Sequence, residues 1–121
     1  MIFLCEDDEK IARLLNFKLT AEGYQTKVFY NGEELLAALQ KEIPELLITD
    51  VMMPGYDGFT IIKLIRNDER LKNIKIMVLS ALNYNTDIYN FQSCGADEHI
   101  TKPILLNDFI VRVKKLLEQV K

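Results

Sequence analysis

The sequence is poor in the residues that usually mark metal centres and disulfide-bonded proteins. It has no tryptophan, one histidine and two cysteines, and neither Cys5 nor Cys94 lies in a Cys-x-x-Cys spacing. His99 has no second histidine or cysteine nearby, so a zinc site has little support. Both thiols are predicted to be reduced and largely buried.

The chain also lacks an excess of positive charge and any long apolar run. It has 15 basic against 18 acidic residues, so the basic surface typical of nucleic-acid-binding segments is missing. No apolar run approaches the roughly 18–20 residues of a membrane span. The first run, residues 2–5, is too short for a signal peptide, so a cytoplasmic protein without membrane contact is expected.

Short apolar runs alternate with stretches of helical spacing along the whole chain. Strands are predicted at residues 2–5, 24–29, 46–49, 74–79 and 98–101. Helices are predicted around the apolar positions 11–19, ending before Gly23, and at 33–41, 59–65, 85–93 and 106–120. Near-continuous apolar strands are typical of a parallel sheet buried on both faces. The pattern therefore predicts an α/β fold with a doubly wound five-stranded parallel sheet, in one domain covering residues 1–121.

Polar residues follow four of these strands. Glu6 and Asp7 follow the first strand, Asp50 the third, Ser80 the fourth and Lys102 the fifth. Parallel strands end at one edge of the sheet, where open α/β folds place their ligand crevice. Clustered carboxylates repel one another unless a cation intervenes, and hard oxygen ligands favour Mg²⁺ or Mn²⁺.

This set of side chains suits phosphoryl transfer. An aspartate can attack phosphorus and form an aspartyl phosphate. The charge on the phosphoryl oxygens then needs a metal ion, an ammonium group and hydroxyl or amide donors. Lys102 and Ser80 would supply the ammonium and the hydroxyl beside Asp50.

Five motifs in order along the chain resemble those of one protein family. They are Glu6-Asp7-Asp8-Glu9, Asp50 followed by Met-Met-Pro-Gly and Asp-Gly, Ser80-Ala81, Gly95-Ala96-Asp97 and Thr101-Lys102-Pro103. Together they resemble a bacterial two-component response-regulator receiver domain of the CheY-like, (βα)5 flavodoxin-type fold. A charged set on the last helix further resembles the OmpR/PhoB type.

The resemblance implies a role for each matching residue. Asp50 would accept the phosphoryl group from a sensor histidine kinase. Asp7 would bind Mg²⁺ directly, Glu6 through water, and Asp50 and the Met52 backbone carbonyl would complete the protein ligands. Ser80 would be the switch hydroxyl, and Lys102 would pair with the phosphoryl group ahead of a cis peptide bond to Pro103.

The output is expected from the face made by the fourth predicted helix, the fifth strand and the last helix. Glu98, Asp108 and Arg112 resemble the charged set by which OmpR/PhoB-type receivers form homodimers, although Ile88 replaces the usual lysine. DNA would then be bound only through a domain outside this chain. A stand-alone regulator is the open alternative.

Three departures from the family pattern affect the expected behaviour. His99 replaces the aromatic switch residue, which predicts either a weaker switch, a pH-sensitive one or an ordinary surface variant. Met52 and Leu82 stand at the positions that flank the attacking water in the family, and both are apolar and unable to orient it, so the phosphoryl group is expected to be long-lived. The chain is not expected to be an enzyme beyond its own phosphorylation and slow dephosphorylation.

Other functions fit the sequence less well. An FMN protein of this fold needs a hydroxyl-rich loop after the first strand, where this chain is acidic. A phosphatase of the haloacid dehalogenase type needs a second aspartate where Met52 stands. A pseudo-receiver that only binds other proteins remains the alternative, although such domains usually lack an acid or the lysine.

Overall fold

The computed structural model describes residues 1–51, 58–80 and 95–119. The strands are β1 (Ile2–Cys5), β2 (Thr26–Phe29), β3 (Leu46–Asp50), β4 (Lys75–Ser80) and β5 (Glu98–Thr101). The helices are α1 (Glu9–Ala21), α2 (Gly32–Leu39), α3 (Gly58–Arg66) and the C-terminal helix (Leu106–Glu118). The predicted helix at 85–93 lies outside the described residues, as do Met52, Leu82, Ile88 and Cys94.

The five strands form one parallel sheet in the order β2-β1-β3-β4-β5. The predicted five-stranded parallel sheet is therefore confirmed. Register places Cys5 beside Thr49, Asp50 beside Leu79 and Ser80 beside Thr101. The carboxyl ends of β1, β3, β4 and β5 consequently finish at one level, which gathers the polar residues that follow them.

Helices cover both faces of the sheet, and each face has its own apolar core. One core includes Phe3, Leu35, Leu47, Ile61 and Ile76, which bring β1, β3 and β4 against α2 and α3. The other core has the following members: Leu4, Leu15, Ile48, Leu79, Phe109 and Val113, from α1, the C-terminal helix and the same strands. Alternate residues of one strand thus enter opposite cores, as a doubly wound sheet requires.

Short polar side chains set where the first two helices begin. The Asp8 carboxylate accepts from the backbone amides of Lys10 and Ile11, so Asp8 is the N-cap of α1. Asn31 caps α2 through a 2.8 Å bond from the Glu34 amide. As a result α2 begins at Gly32, one residue before the predicted start, and it ends at Leu39 instead of residue 41.

A guanidinium group ties together the sheet edge opposite the polar strand ends. Arg66 donates to the carbonyls of Gly95 and Ile74 at 2.9 and 2.6 Å and pairs with Asp97 at 2.9 Å. The Asp97 carboxylate also accepts from the Ile76 amide at 2.8 Å. These bonds fix the entry into β5, so the last strand is held in register with β4.

Among the described helices, none is both long enough and apolar enough to cross a membrane.

Candidate functional site

The polar strand ends meet at an acidic pocket that contains a single lysine among the described residues. Carboxylate oxygens of Glu6, Asp7 and Asp50 lie within 4.8 Å of one another. Lys102 Nζ lies 2.9 Å from Asp50 Oδ2 and 2.9 Å from Glu6 Oε1. The predicted convergence of residues 6, 7, 50 and 102 is therefore observed, across 52 positions of sequence between Asp50 and Lys102.

The acids differ sharply in their surroundings. Glu6 is fully buried and Asp50 is 5% exposed, whereas Asp7 is exposed to solvent. Glu6 Oε2 accepts from the Asp8 amide at 3.2 Å. Glu6 Oε1 is buried and pairs with Lys102, but it accepts no well-aligned hydrogen bond within the described part of the chain. A buried carboxylate oxygen with unused acceptor capacity is a position that a cation would satisfy.

The pKa values follow from this arrangement. Burial, followed by the hydrogen bond with Asp50, raises the pKa of the Glu6 carboxyl to about 7. Burial opposes the charge on Lys102, but its close contacts with the Asp50 and Glu6 carboxylates outweigh burial and raise the pKa of the ammonium. The pocket therefore holds the Lys102 ammonium, which stays charged, beside the Glu6 carboxyl group, whose ionisation is disfavoured.

The residues present fit a divalent metal ion. Three carboxylates within one small volume are hard oxygen ligands, and Asp7 gives the cluster access to solvent. Mg²⁺ commonly binds one or two carboxylates and keeps several waters, which such a half-open cluster allows. Glu6, Asp7 and Asp50 would hold the ion; the expected fourth ligand, the Met52 carbonyl, lies outside the described residues.

Ser80 and Thr101 occupy the ends of the two strands beside this pocket. Ser80 is 4% exposed, and its backbone carbonyl accepts from the Lys102 amide at 2.6 Å. The bond between Lys102 and Pro103 is cis, as the sequence resemblance implies. The path from β5 into the pocket thus places Lys102 directly after the strand that pairs with Ser80.

The predicted switch and dimer residues lie together on the outer side of β5. His99 is half-buried, and its Nε2 lies 3.3 Å from the Thr101 hydroxyl. Arg112 pairs with Glu98 at 2.8 Å and with Asp108 at 3.1 Å, and it donates to the His99 carbonyl at 3.2 Å. The three predicted dimer residues therefore form one ion-pair cluster within the chain.

Two features of the site were not singled out from the sequence. Gly58, which appears in the sequence only as part of the Asp-Gly motif, is the first residue of α3 and packs against the backbone of Asp50 and Val51. Thr49 is a fully buried polar residue at the end of an apolar strand. Only the interruption of an apolar run by a hydroxyl could have drawn attention to Thr49, and the motif alone does not reveal how closely Gly58 approaches the Asp50 backbone.

Comparison with known proteins agrees with this geometry. Residues 2–114 match the model of the response regulator receiver domain family. The chain is 37% identical to the transcriptional regulatory protein RprY of Bacteroides fragilis over 120 residues, covering 99% of this chain and 50% of RprY. It is 31% identical to the phosphate regulon transcriptional regulatory protein PhoB of Rhizobium meliloti, covering 99% of this chain and 53% of PhoB.

A solved structure is similar throughout. The signal receiver domain of a signal transduction histidine kinase from Syntrophus aciditrophicus superposes with a TM-score of 0.93 at 35% identity, covering 99% of this chain and 91% of that one. The chain spans about half the length of RprY and PhoB, and 25% of the response regulator PleD of Caulobacter vibrioides. On the family match, the fold and the acidic pocket, the chain belongs to the response regulator receiver domain family.

Proposed function

We propose that this chain is the phosphoryl-accepting receiver domain, residues 1–121, of a two-component response regulator. The observation that carries the proposal is the position of Lys102 Nζ, 2.9 Å from an oxygen of Asp50 in a pocket with two further carboxylates. An ammonium so placed beside a buried carboxylate stabilises the charge that develops on a transferred phosphoryl group.

In the proposed reaction an Asp50 oxygen attacks the phosphorus of a phosphohistidine on a sensor kinase. An O–P bond forms, the P–N bond breaks, and the imidazole leaves with the bonding electron pair and takes up a proton. Lys102 then moves its contact from the Asp50 carboxylate to the phosphoryl oxygens. A bound Mg²⁺ or Mn²⁺ ion would neutralise charge on the same oxygens.

The remaining residues of the pocket are assigned to the response. The added phosphoryl group brings about −1.5 to −2 charges, so the loop after β4 must rearrange to hold it. The Ser80 hydroxyl turns toward the phosphoryl oxygens, and His99, two residues before Thr101 on the neighbouring strand, follows on the outer side of β5. A shift between two packings of this region would carry the signal.

Several wider assignments belong to the same proposal. The partner is a sensor histidine kinase, and the chain itself is proposed to act in the cytoplasm without contacting a membrane. Because RprY and PhoB are transcriptional regulators about twice as long, the chain is proposed to act on transcription through a DNA-binding domain outside it. Slow loss of the phosphoryl group, expected from Met52 and Leu82, would be its only other reaction.

The test is the intact mass of the protein after incubation with acetyl phosphate and Mg²⁺. We expect wild type to gain the mass of one phosphoryl group, only when the metal is present, and Asp50→Asn to gain none. Asp68→Asn, an aspartate in the connection between α3 and β4, is the matched control and should react like wild type. A wild type that stays unmodified with several small phosphodonors would establish the pseudo-receiver alternative instead.

A phosphorylation-dependent homodimer is the second expected result. Arg112 holds Glu98 and Asp108 at a partly exposed surface, and exposed Leu105 lies beside them, an arrangement that suits pairing with the same face of a second copy. Light scattering should show the mass doubling after phosphorylation, and Arg112→Glu should remain monomeric because it places three acids together. Arg13→Glu, which breaks an exposed ion pair on α1, is the control and should still dimerise.

A further inference from the structure

The backbone that follows Asp50 is held by three hydrogen bonds, two of which are on the peptide group between Asp50 and Val51. The Asp50 carbonyl accepts a hydrogen bond from the Thr49 hydroxyl at 3.1 Å. The Val51 amide donates to the Leu79 carbonyl on β4 at 3.1 Å. The Val51 carbonyl accepts from the Gly58 amide at 2.7 Å. Of the three, only the bond from Thr49 is made by a side chain, so it is the one that a substitution can remove.

The Thr49 hydroxyl belongs to a buried polar network under the acidic pocket. Thr49 is fully buried and pairs in register with Cys5 on β1, whose thiol interacts with the Thr49 hydroxyl. The Cys5 thiol in turn lies 3.5 Å from the carbonyl of Asn31, the N-cap residue of α2. Burial raises the pKa of this thiol to about 12, so it stays protonated at neutral pH and can donate.

Packing alone would not select a hydroxyl at this position. Apart from Cys5, the neighbours of Thr49 on its face of the sheet, such as Leu47 and Val78, are apolar, and valine has nearly the same shape without a group that must be hydrogen-bonded. A buried hydroxyl that donates to the carbonyl of the adjacent residue fixes a peptide plane and thereby the direction of the preceding side chain. Here that side chain is the Asp50 carboxylate.

We propose that Thr49 is a positioning residue for phosphoryl transfer: its hydroxyl fixes the Asp50 peptide so that the Asp50 carboxylate points at the phosphodonor. The inference rests on the proposed function and deepens it, because it identifies a residue beneath the pocket that sets the rate of phosphoryl transfer. Reacting groups must be held in near-attack geometry, and small displacements lower the rate steeply.

The experiment compares initial rates of phosphorylation by acetyl phosphate at saturating Mg²⁺ for wild type, Thr49→Val and Thr49→Ser, followed by intact mass. Loss of one hydrogen bond of ordinary net strength predicts a maximal rate about fivefold lower in Thr49→Val. Thr49→Ser keeps the hydroxyl and should stay within about twofold of wild type on the same reasoning. The concentration of acetyl phosphate at half-maximal rate should not change, since Thr49 does not reach the donor.

Thr26→Val is the matched control. The Thr26 hydroxyl is also buried, accepts and donates no hydrogen bond among the described residues, and lies at the other end of the sheet, beside Ile2. This variant should phosphorylate at the wild-type rate. Urea unfolding of all variants distinguishes a positioning role of Thr49 from a role in folding. A positioning role predicts that Thr49→Val is phosphorylated more slowly although its free energy of unfolding is not lowered.

Each outcome separates this inference from the function on which it rests. The positioning role is supported if Thr49→Val is phosphorylated slowly while Thr49→Ser and Thr26→Val are phosphorylated at about the wild-type rate. If wild type is phosphorylated and Thr49→Val reacts equally fast, or is slow only in proportion to lost stability, the positioning role is overturned and the proposed function stands. If wild type itself takes up no phosphoryl group, both are overturned together.

Discussion

Replacing Glu6 with glutamine should stabilise the metal-free protein at pH 8 by an amount on the order of 2 kcal/mol, despite removing one half of an ion pair. Burial raises the pKa of Glu6 to about 7. At pH 8 the native state therefore holds an ionised carboxylate in a site that favours the protonated form. The amide removes that cost. The amide oxygen can still accept from Lys102, so the substitution loses only the charge of that ion pair, and Lys102 keeps Asp50 as its anionic partner.

The pH dependence has a definite sign. Between about pH 4.5 and pH 7 the native state binds more protons at Glu6 than the unfolded state, so the free energy of unfolding of wild type falls as pH rises through this window. Above about pH 7 both states are ionised at this residue and the loss is complete. Glu6→Gln lacks this contribution, so its advantage should be small at pH 5 and largest at pH 8.

Urea unfolding with a chelator at both pH values measures the effect. Glu69→Gln, which removes an acid whose side chain is 89% exposed, is the control and should change stability little at either pH. A Glu6→Gln protein less stable than wild type at pH 8 would show that the bond to Lys102 outweighs the cost of burying Glu6.

Substituting Gly58 with alanine should destabilise the fold by about 2–3 kcal/mol, the upper part of the range for forcing an extra carbon into a packed site. A Cβ on Gly58 would lie 2.7 Å from the Asp50 carbonyl oxygen and 2.9 Å from Val51 Cα. These are backbone atoms, and the bonds from Thr49 and to Leu79 keep them from moving aside. Alanine's better helix propensity, worth about 1 kcal/mol, is too small to reverse the sign.

Chemical unfolding of Gly58→Ala against Gly23→Ala tests this explanation. Gly23 has a φ of +92° and open space around it, so its substitution carries only the conformational cost, about 1 kcal/mol. The clash predicts a clearly larger loss at Gly58 and a slower phosphorylation of Asp50. Equal losses at the two glycines would mean that the Asp50–Val51 backbone moves aside at little cost.

Much of the fold and of the candidate site of this protein can be predicted from local sequence patterns. Apolar runs of strand length separated by helical spacing predict the parallel sheet, and parallel pairing then brings the strand ends to one edge. Asp50 and Ser80 each stand directly after an apolar run and Lys102 directly after the short strand predicted at 98–101, so their convergence needed no knowledge of distances. Asp8 was also predictable as a cap, since capping depends on residues within one turn.

The structure alone determined how unlike the neighbouring acids are. Glu6 and Asp7 are equivalent in sequence, but successive residues leaving a strand point in opposite directions, so one is buried against Lys102 and the other faces solvent. The raised pKa of Glu6 follows from that burial, because it depends on the density of protein around the group and not on its sequence neighbours.

The close approach of Gly58, the network under Asp50 and the ties made by Arg66 were likewise visible only in three dimensions. Each joins backbone groups that are distant in sequence, at separations set by how the helices settle on the sheet. Sequence by itself determined which side chains this protein would bring to one edge of a parallel sheet, because strand pairing is a repeating local pattern. Tertiary packing determined which of them are buried, which are paired and how tightly the Asp50 backbone is held, because those properties depend on ångström-scale distances between separate elements.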